Sequence, residues 1–351
     1  MSRFEALGEC HTEAQREYSY DKYIDDEVGV EVEDDCISFE QFKRMNTPSV
    51  NPPAASSNYD LNYPIIGAVG TIDYKCPVTP DPTKKFILSI ILGAQRVMDD
   101  DKCYEPLTSN NIVVTSEGQP LFKHLRMVRL SAAAKLAVYK SIATVITELF
   151  EGFPVPGDMQ HLIDLLNSGR KEALYKIHSA LVPHSDRGWL FLKAYEYVMH
   201  RADPVSQSLI LLALPYLQTW RTKVDLNHVL IEAYDYVEGA YNEAPPVDES
   251  GNPIAWSETD KKLQSAKKFM DYLRNGTSHR LQRSHILTAD QYETLLLVLF
   301  HMLLPKLLEA MFDHLNVGGL RKAGLLRYAS PGPCLCALCF QYVDLVILFF
   351  F

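Results

Sequence analysis

Apolar residues recur every three or four positions along most of this chain, and this spacing limits it to a largely helical fold. One such stretch runs from Phe86 to Met98 and another from Leu130 to Leu149. Residues spaced in this way lie on one face of an α-helix, which packs against a core. Strand signals are scarce, although Asn111 to Thr115 can form one arm of a hairpin. We therefore predict an all-α fold of about nine or ten helices.

Residues that start or stop helices mark the ends of these stretches. Asp158 and Asp203 are predicted N-caps, because a short acidic side chain accepts hydrogen bonds from the first free amides. A capping-box-like run at Ser257 predicts the start of another helix, and Gly276 is its predicted end. The helix that follows is apolar nearly all round, so we predict that it is central to the core and that Pro305 kinks it.

Two proline-rich linkers, at residues 47–59 and 244–253, divide the chain. Proline and glycine interrupt both helices and central strands. The predicted organisation is an acidic, flexible N-terminal arm with its linker at 1–60, an N-terminal helical lobe at 61–244, a C-terminal helical lobe at 254–330, and an apolar tail at 331–351.

The apolar tail reads PGPCLCALCFQYVDLVILFFF. A membrane-spanning helix needs about 20 apolar residues. This stretch is barely that long, and Asp344 would cost about 2.5–3.5 kcal/mol at the centre of a bilayer. We expect an arm that packs on its own or a neighbouring subunit. A tail anchor and a segment outside the fold are the alternatives, and association with membranes through 331–351 is not the favoured interpretation.

Two further features concern the compartment. The first residues are charged and polar, which does not match a secretory signal. The seven cysteines are odd in number and widely spread, which does not match a disulfide framework. We therefore predict a cytoplasmic or other reducing intracellular location.

The net charge of −10 is concentrated at the N-terminus. Residues 1–40 hold 13 acidic and 3 basic side chains, and the other 311 residues hold 31 of each. The body of the protein is therefore neutral. An acidic total does not exclude a nucleic-acid ligand when the acidity belongs to one arm.

Motifs for catalysis and metal binding are missing from the sequence. It has no phosphate-binding glycine loop, no Gly-x-Ser-x-Gly and no His-Glu-x-x-His. The cysteines between Cys334 and Cys339 have a metal-like spacing but lack a fourth ligand. His301, His314 and Glu309 share a helix without sharing a face, and Asp99–Asp101 is typical of a solvated turn. We predict no catalytic residues, no metal, no cofactor and no enzymatic activity.

Two stretches of the neutral body are basic. Residues 118–147 contain no acidic residue, and residues 261–285 contain only Asp271. Lys123, Arg126 and Arg129 are three residues apart, so on a helix they would form a ridge. Rows of cations suit a phosphate backbone, although the solvated faces of amphipathic helices look similar. The predicted nucleic-acid-binding residues are Lys123, Arg126, Arg129, Lys135, Lys261, Lys262, Lys267, Lys268, Arg274, Arg280 and Arg283.

These observations lead to one main functional hypothesis and two alternatives. The main one is a self-assembling, nucleocapsid- or capsid-like protein that binds RNA in a basic cleft between its lobes. It rests on an analogy of layout, and such analogies are weak guides to function. The alternatives are a helical scaffold that binds proteins through a tyrosine-rich surface between Tyr195 and Tyr236, and a tail-anchored membrane protein.

Overall fold

The computed structural model describes residues 36–48, 78–225, 230–231, 248–278 and 289–326. Within these ranges the chain forms ten α-helices and five short β-strands, which confirms the predicted helical class. The helices are α1 (Phe39–Met45), α2 (Asp81–Asp99), α3 (Ala132–Leu149), α4 (Gly157–Ser168), α5 (Arg187–His200), α6 (Pro204–Leu212), α7 (Trp220–Val224), α8 (Glu258–Ser278), α9 (Ala289–Phe300) and α10 (Leu303–Lys322).

Helices α1 to α4 surround one hydrophobic cluster, here called cluster A, whose buried members run from Phe39 to Leu181. The face of α2 predicted from its spacing forms the centre of cluster A, with Phe86 and Ile90 fully buried. Phe42 of α1 stacks on Phe86 with ring centroids 4.7 Å apart. Burial of each such side chain contributes about 1.5–3 kcal/mol, so this face fixes how α1 and α2 pack.

Helices α5 to α10 surround a second cluster, cluster B, whose buried members run from Leu174 to Leu325. Its aromatic centre joins three helices. Trp220 of α7 stacks on Phe269 of α8 at 5.3 Å, and Phe269 contacts Phe300 of α9 at 5.1 Å. Helix α9 lies in the core as its apolar sequence predicts.

Cluster B contains residues from both sides of the linker at 244–253, among them Trp220 and Phe269. The two clusters instead meet in sequence at residues 174–182. The division of the chain into lobes at 61–244 and 254–330 stays a prediction. Their linker does not separate the two hydrophobic clusters.

The predicted N-terminal arm needs correction over residues 37–45. This segment forms a strand and helix α1, and Phe39 and Phe42 are 2% and 3% exposed. A capping box starts the helix. Ser38 Oγ accepts the Gln41 amide at 3.2 Å, and Gln41 Oε1 accepts the Ser38 amide at 3.0 Å. The rest of the acidic stretch, residues 1–35, and most of the linker lie outside the described residues.

Two small antiparallel sheets cover cluster A. One has the strand order β1-β3-β4, with β1 (Ile37–Ser38), β3 (Ile112–Val114) and β4 (Pro120–Phe122). The other pairs β2 (Lys102–Tyr104) with β5 (Met127–Arg129). The hairpin predicted at Asn111–Thr115 is confirmed as β3 and β4. The sequence did not predict β2 and β5, because three residues are too few to show an alternating pattern.

Helices α9 and α10 are bent by 69° relative to each other. Pro305, in the first turn of α10, has no N–H to donate to the carbonyl of His301, and its ring would clash with that carbonyl. The break therefore lies just before the proline, as predicted. Among the described residues, no single helix has the length and apolarity to cross a membrane, and only this bent pair reaches that threshold jointly. The tail at 331–351 lies outside the described residues.

Gly276 does not end α8, contrary to the prediction. The helix continues to Ser278, and a Cβ at position 276 would lie 1.8 Å from the Tyr292 hydroxyl oxygen. The glycine is needed for close packing of α8 against α9.

The two predicted aspartate caps differ in outcome. Asp203 is the N-cap of α6, and its carboxylate accepts the amides of Val205 and Ser206 at 3.1 and 2.9 Å. Asp158 is not the N-cap of α4, because Pro156 holds that position. Its carboxylate is buried and faces another helix instead.

Candidate functional site

The first basic stretch lies on strands and loops as well as on a helix. Lys123 follows β4, Arg126 lies in the connection, and Arg129 ends β5. The helical ridge predicted from their spacing is therefore wrong, because residues 127–129 pair with β2 as a strand and residues 123–126 form the connection before it. Lys135 lies on α3 and forms an ion pair with Glu172.

The second basic stretch begins on α8. Lys261 and Lys268 lie two turns apart, so they share one face of the helix. The five predicted binding residues on α8 are all exposed or half-buried: Lys261, Lys262, Lys267, Lys268 and Arg274. Arg280 and Arg283 lie outside the described residues.

The two stretches belong to different parts of the fold. Strand β4 packs on α2 and pairs with β3, whereas α8 packs on α5 and α6. A single cleft that joins both stretches stays a prediction.

A pocket of about 310 Å³ opens between α7 and α8, and it is here called the α7–α8 pocket. Two of its cations, Lys261 and Lys268, come from the predicted set, and Arg221 of α7 adds a third. Gln218 and Gln264 supply amide groups. Lys261 also forms an exposed ion pair with Glu258 at 2.7 Å, which contributes little to stability. Among these pocket residues the charge is positive.

The floor of the α7–α8 pocket is fixed by hydrogen bonds. The Trp220 indole N–H donates to Ser265 Oγ at 3.0 Å, and the Ser265 hydroxyl donates to the Leu217 carbonyl at 2.7 Å. The Arg221 guanidinium lies 5.5 Å from the centroid of the Trp220 ring. The buried indole of Trp220 therefore helps to position the Arg221 guanidinium at the pocket.

Asp271 does not reduce the positive charge on the outer face of α8. Its side chain is 6% exposed, and its carboxylate accepts a hydrogen bond from the Tyr195 hydroxyl at 2.5 Å. Burial raises the pKa of Asp271, against the opposing effect of the Tyr195 hydrogen bond. The only acidic residue in the second basic stretch thus points into cluster B.

A group of charged and polar residues joins clusters A and B, and we call it the charged seam: the buried Asp158, His161, His178 and Arg187, and the half-buried Glu309. Arg187 Nη1 donates to Asp158 Oδ2 at 2.8 Å and to the Ser179 carbonyl at 2.7 Å. Arg187 is 6% exposed and Asp158 is 4% exposed. Each of these two buried charges is stabilised by the other, because the loss of one would leave the other buried without an opposite charge.

The two histidines of the seam form a directed hydrogen-bond chain. His178 Nδ1 accepts the Ala180 amide at 3.2 Å, so its proton lies on Nε2. His178 Nε2 lies 2.9 Å from His161 Nδ1, and His161 Nε2 lies 3.2 Å from Glu309 Oε2. With both rings neutral, His178 donates a hydrogen bond to His161, and His161 donates one to Glu309. Burial lowers the pKa of both histidines, and for His178 the charges of His161 and Arg187 lower it further.

Glu309 ends this chain at the edge of the seam. Its carboxylate accepts hydrogen bonds from Lys171 Nζ at 2.9 Å and from Lys306 Nζ at 2.6 Å. Burial by itself raises the pKa of Glu309, but the hydrogen bonds from Lys171, Lys306 and His161 outweigh it and lower the pKa to about 2. The carboxylate is thus held charged, and it ties α10 to His161 of α4 and to Lys171, which follows α4.

Sequence reasoning missed the seam, although α4 carries a signal for it. Asp158 and His161 share the helical face of Leu162 and Leu165, which are buried in cluster A. A polar residue at a core position needs a partner. The partner Glu309 is far away along the chain, so no spacing could identify it.

The residues considered for metal binding do not meet as a site in the described part of the chain. Nowhere in the described ranges do three His, Cys, Asp or Glu side chains come together with metal-binding geometry. Asp99, Asp100 and Asp101 are exposed at the end of α2. The cysteines from Cys334 to Cys339 lie outside the described residues.

Three of the tyrosines proposed as a protein-binding surface lie in the described part of the chain, and none of these three is fully exposed. Tyr195 is buried, and Tyr197 and Tyr216 are half-buried against cluster B. Tyr234 and Tyr236 lie outside the described residues. The described members form the edge of the core rather than an exposed patch.

No protein-family model matches the chain, and no curated protein matches it significantly.

Proposed function

We propose that this is a non-enzymatic, nucleocapsid-like protein that binds the phosphate backbone of RNA at the α7–α8 pocket. The observation that carries the proposal is the convergence of Arg221, Lys261 and Lys268 in one pocket. Cations and amide donors recognise phosphate oxygens without reading bases, so binding depends little on RNA sequence. The proposed site is narrower than the inter-lobe cleft predicted from the sequence.

The outer face of α8 extends the site beyond the pocket. The helix has 21 residues and is therefore about 30 Å long, which spans several phosphates of an extended strand. Beyond its first turn, helix α8 contains a single acidic residue, Asp271, and its side chain faces inward. A phosphate backbone that follows α8 would meet cations along its length.

Self-association and the acidic N-terminal stretch complete the proposal. Packaging proteins cover their nucleic acid, so we expect copies to assemble along the RNA. The excess of 10 negative charges in residues 1–40 makes this stretch a competitor for the same cations. Deleting residues 1–35 is expected to raise RNA affinity and to leave α1 intact.

The test compares two pairs of charge-neutralising substitutions in the full chain. Arg221→Gln with Lys268→Gln removes two cations from the pocket. Lys85→Gln with Arg96→Gln removes one lysine and one arginine from exposed positions of α2, so the net charge changes equally. Fluorescence anisotropy with a labelled oligouridylate, measured over a range of salt concentrations, gives the affinity and its salt dependence.

We expect the pocket pair to weaken binding severalfold and to make the negative slope of log K against log salt less steep, by about 0.7 for each lost phosphate contact. The α2 pair should do neither. Arg126→Gln with Arg129→Gln should also match the α2 pair. Equal losses from the pocket and α2 pairs would refute a localised site, and no binding by the wild type at low salt would refute the function.

A further inference from the structure

Helix α6 presents apolar side chains to solvent where an amphipathic helix presents polar ones. Val205 is 68% exposed and Leu209 is 44% exposed. Ala213, four residues further on, is also exposed. On the opposite side, Ile210 and Leu211 are fully buried in cluster B. Val205, Leu209 and Ala213 follow one another at intervals of four residues, so they form one exposed apolar row that is suited to a covering segment.

Helix α10 extends this apolar face. Helix α6 packs along α10, and Ser206 Oγ lies 3.5 Å from the His314 carbonyl oxygen. Val317, which follows a break in the helical backbone at Asn316, is 38% exposed. We call these four residues the α6–α10 patch: Val205, Leu209, Ala213 and Val317.

The apolar tail starts close to this patch along the chain. Helix α10 ends at Lys322, and Leu326, the last described residue of this part, packs against cluster B. The tail begins five residues later, and five extended residues reach about 17 Å. Helix α6 has nine residues and is therefore about 13 Å long. The five-residue connection therefore lets the tail begin anywhere within about 17 Å of Leu326, a span similar to the length of α6.

We propose that residues 331–351 dock on the α6–α10 patch of their own chain. The tail is mostly apolar, and an apolar segment of this length is stabilised by burial against an aliphatic surface. Attachment gives the tail a local concentration in roughly the millimolar range, which exceeds that of a second copy in dilute solution. The α6–α10 patch shares no residue with the α7–α8 pocket, and docking of the tail does not depend on RNA binding.

Cysteines native to the tail make the proposal testable by crosslinking. Val205→Cys and Leu209→Cys are introduced separately into the full chain, with Cys10, Cys36 and Cys76 changed to serine. Met45→Cys is the matched control, because Met45 is 74% exposed and lies on α1 against cluster A. After mild oxidation, non-reducing gels and mass spectrometry identify disulfides to the tail cysteines: Cys334, Cys336 and Cys339.

We expect the α6 variants to form a disulfide with the tail within one chain, severalfold faster than Met45→Cys does. Equal rates in all three variants would show that the tail samples the surface without a docking site, and would overturn the proposal. Crosslinked dimers in place of linked monomers would assign the tail to a second copy and would also overturn it.

A second measurement does not require a disulfide. Leu209→Lys places a charge in the patch, and we expect severalfold faster chymotryptic cleavage of the tail, while Met45→Lys should leave the rate unchanged. Unchanged cleavage in Leu209→Lys would contradict docking. Tail-dependent co-sedimentation of the full chain with phosphatidylcholine vesicles would show that the tail prefers a bilayer, and would overturn the proposal as well.

Discussion

Removing the Arg187 cation tests the charged seam most directly. In Arg187→Met, the carboxylate of Asp158 stays in a site that is 4% exposed but loses its 2.8 Å partner. Breaking a buried pair from one side costs about 3–5 kcal/mol, because the remaining charge is uncompensated. The Ser179 carbonyl loses its donor in the same step, and an unsatisfied buried acceptor costs about 1–3 kcal/mol. The two costs share one desolvated site, so we expect about 3–5 kcal/mol in all.

The assay is urea unfolding followed by tryptophan fluorescence and circular dichroism. The same free energy is measured for Arg201→Met, a matched control whose ion pair with Glu196 is exposed at both ends and should contribute at most about 1 kcal/mol. Adding Asp158→Asn to Arg187→Met should recover part of the loss, with a coupling energy of about 0.5–3 kcal/mol. A loss below about 1 kcal/mol for Arg187→Met, or strictly additive losses in the double variant, would refute the reasoning.

Three further predictions concern the same fold. Stability should fall as the pH drops below 6.5, because the pKa values of His161 and His178 are lower in the folded than in the unfolded chain, and it should fall again between 4.5 and about 2 as Glu309 takes up a proton. Urea titrations across pH check both losses, and His178→Gln should reduce the first. Gly276→Ala should cost about 1–3 kcal/mol, measured by thermal unfolding, and Tyr292→Phe should restore part of it by removing the oxygen at 1.8 Å. Phe42→Ala should cost about 3–5 kcal/mol by urea unfolding, and a loss below about 1 kcal/mol would show that α1 is not part of the core.

The helices were predictable because their information is local. The apolar spacing of α2 and the cap at Asp203 lie within a few residues of what they determine. The break before α10 was predictable for the same reason, because the ring of Pro305 acts on the carbonyl four residues before it.

The features that the sequence did not predict depend on distant residues. Gly276 has the local signature of a helix end, but its role is set by the Tyr292 hydroxyl of another helix. Asp158 resembles an N-cap, yet Arg187 decides where its carboxylate points. In both cases the local signal is real and a tertiary contact overrides it.

Of the candidate binding residues, those on α8 were predictable as a row because helical spacing orders them. Arg221 was not, because it lies on α7 and joins Lys268 only when Trp220 packs on Phe269. The face shared by Lys261 and Lys268 is a local property, and the pocket is a tertiary one.

The division into clusters A and B has a consequence for synthesis on the ribosome. Cluster A is complete in sequence once Leu181 has emerged, whereas cluster B needs residues up to Leu325. Domains generally fold in the order in which they are made. His161 and His178 would therefore wait in a nascent chain for Glu309, with their polar edges open to water. In that interval a chaperone or a neighbouring nascent chain can reach a surface that the folded protein hides, and translation past Leu325 is the step that completes cluster B.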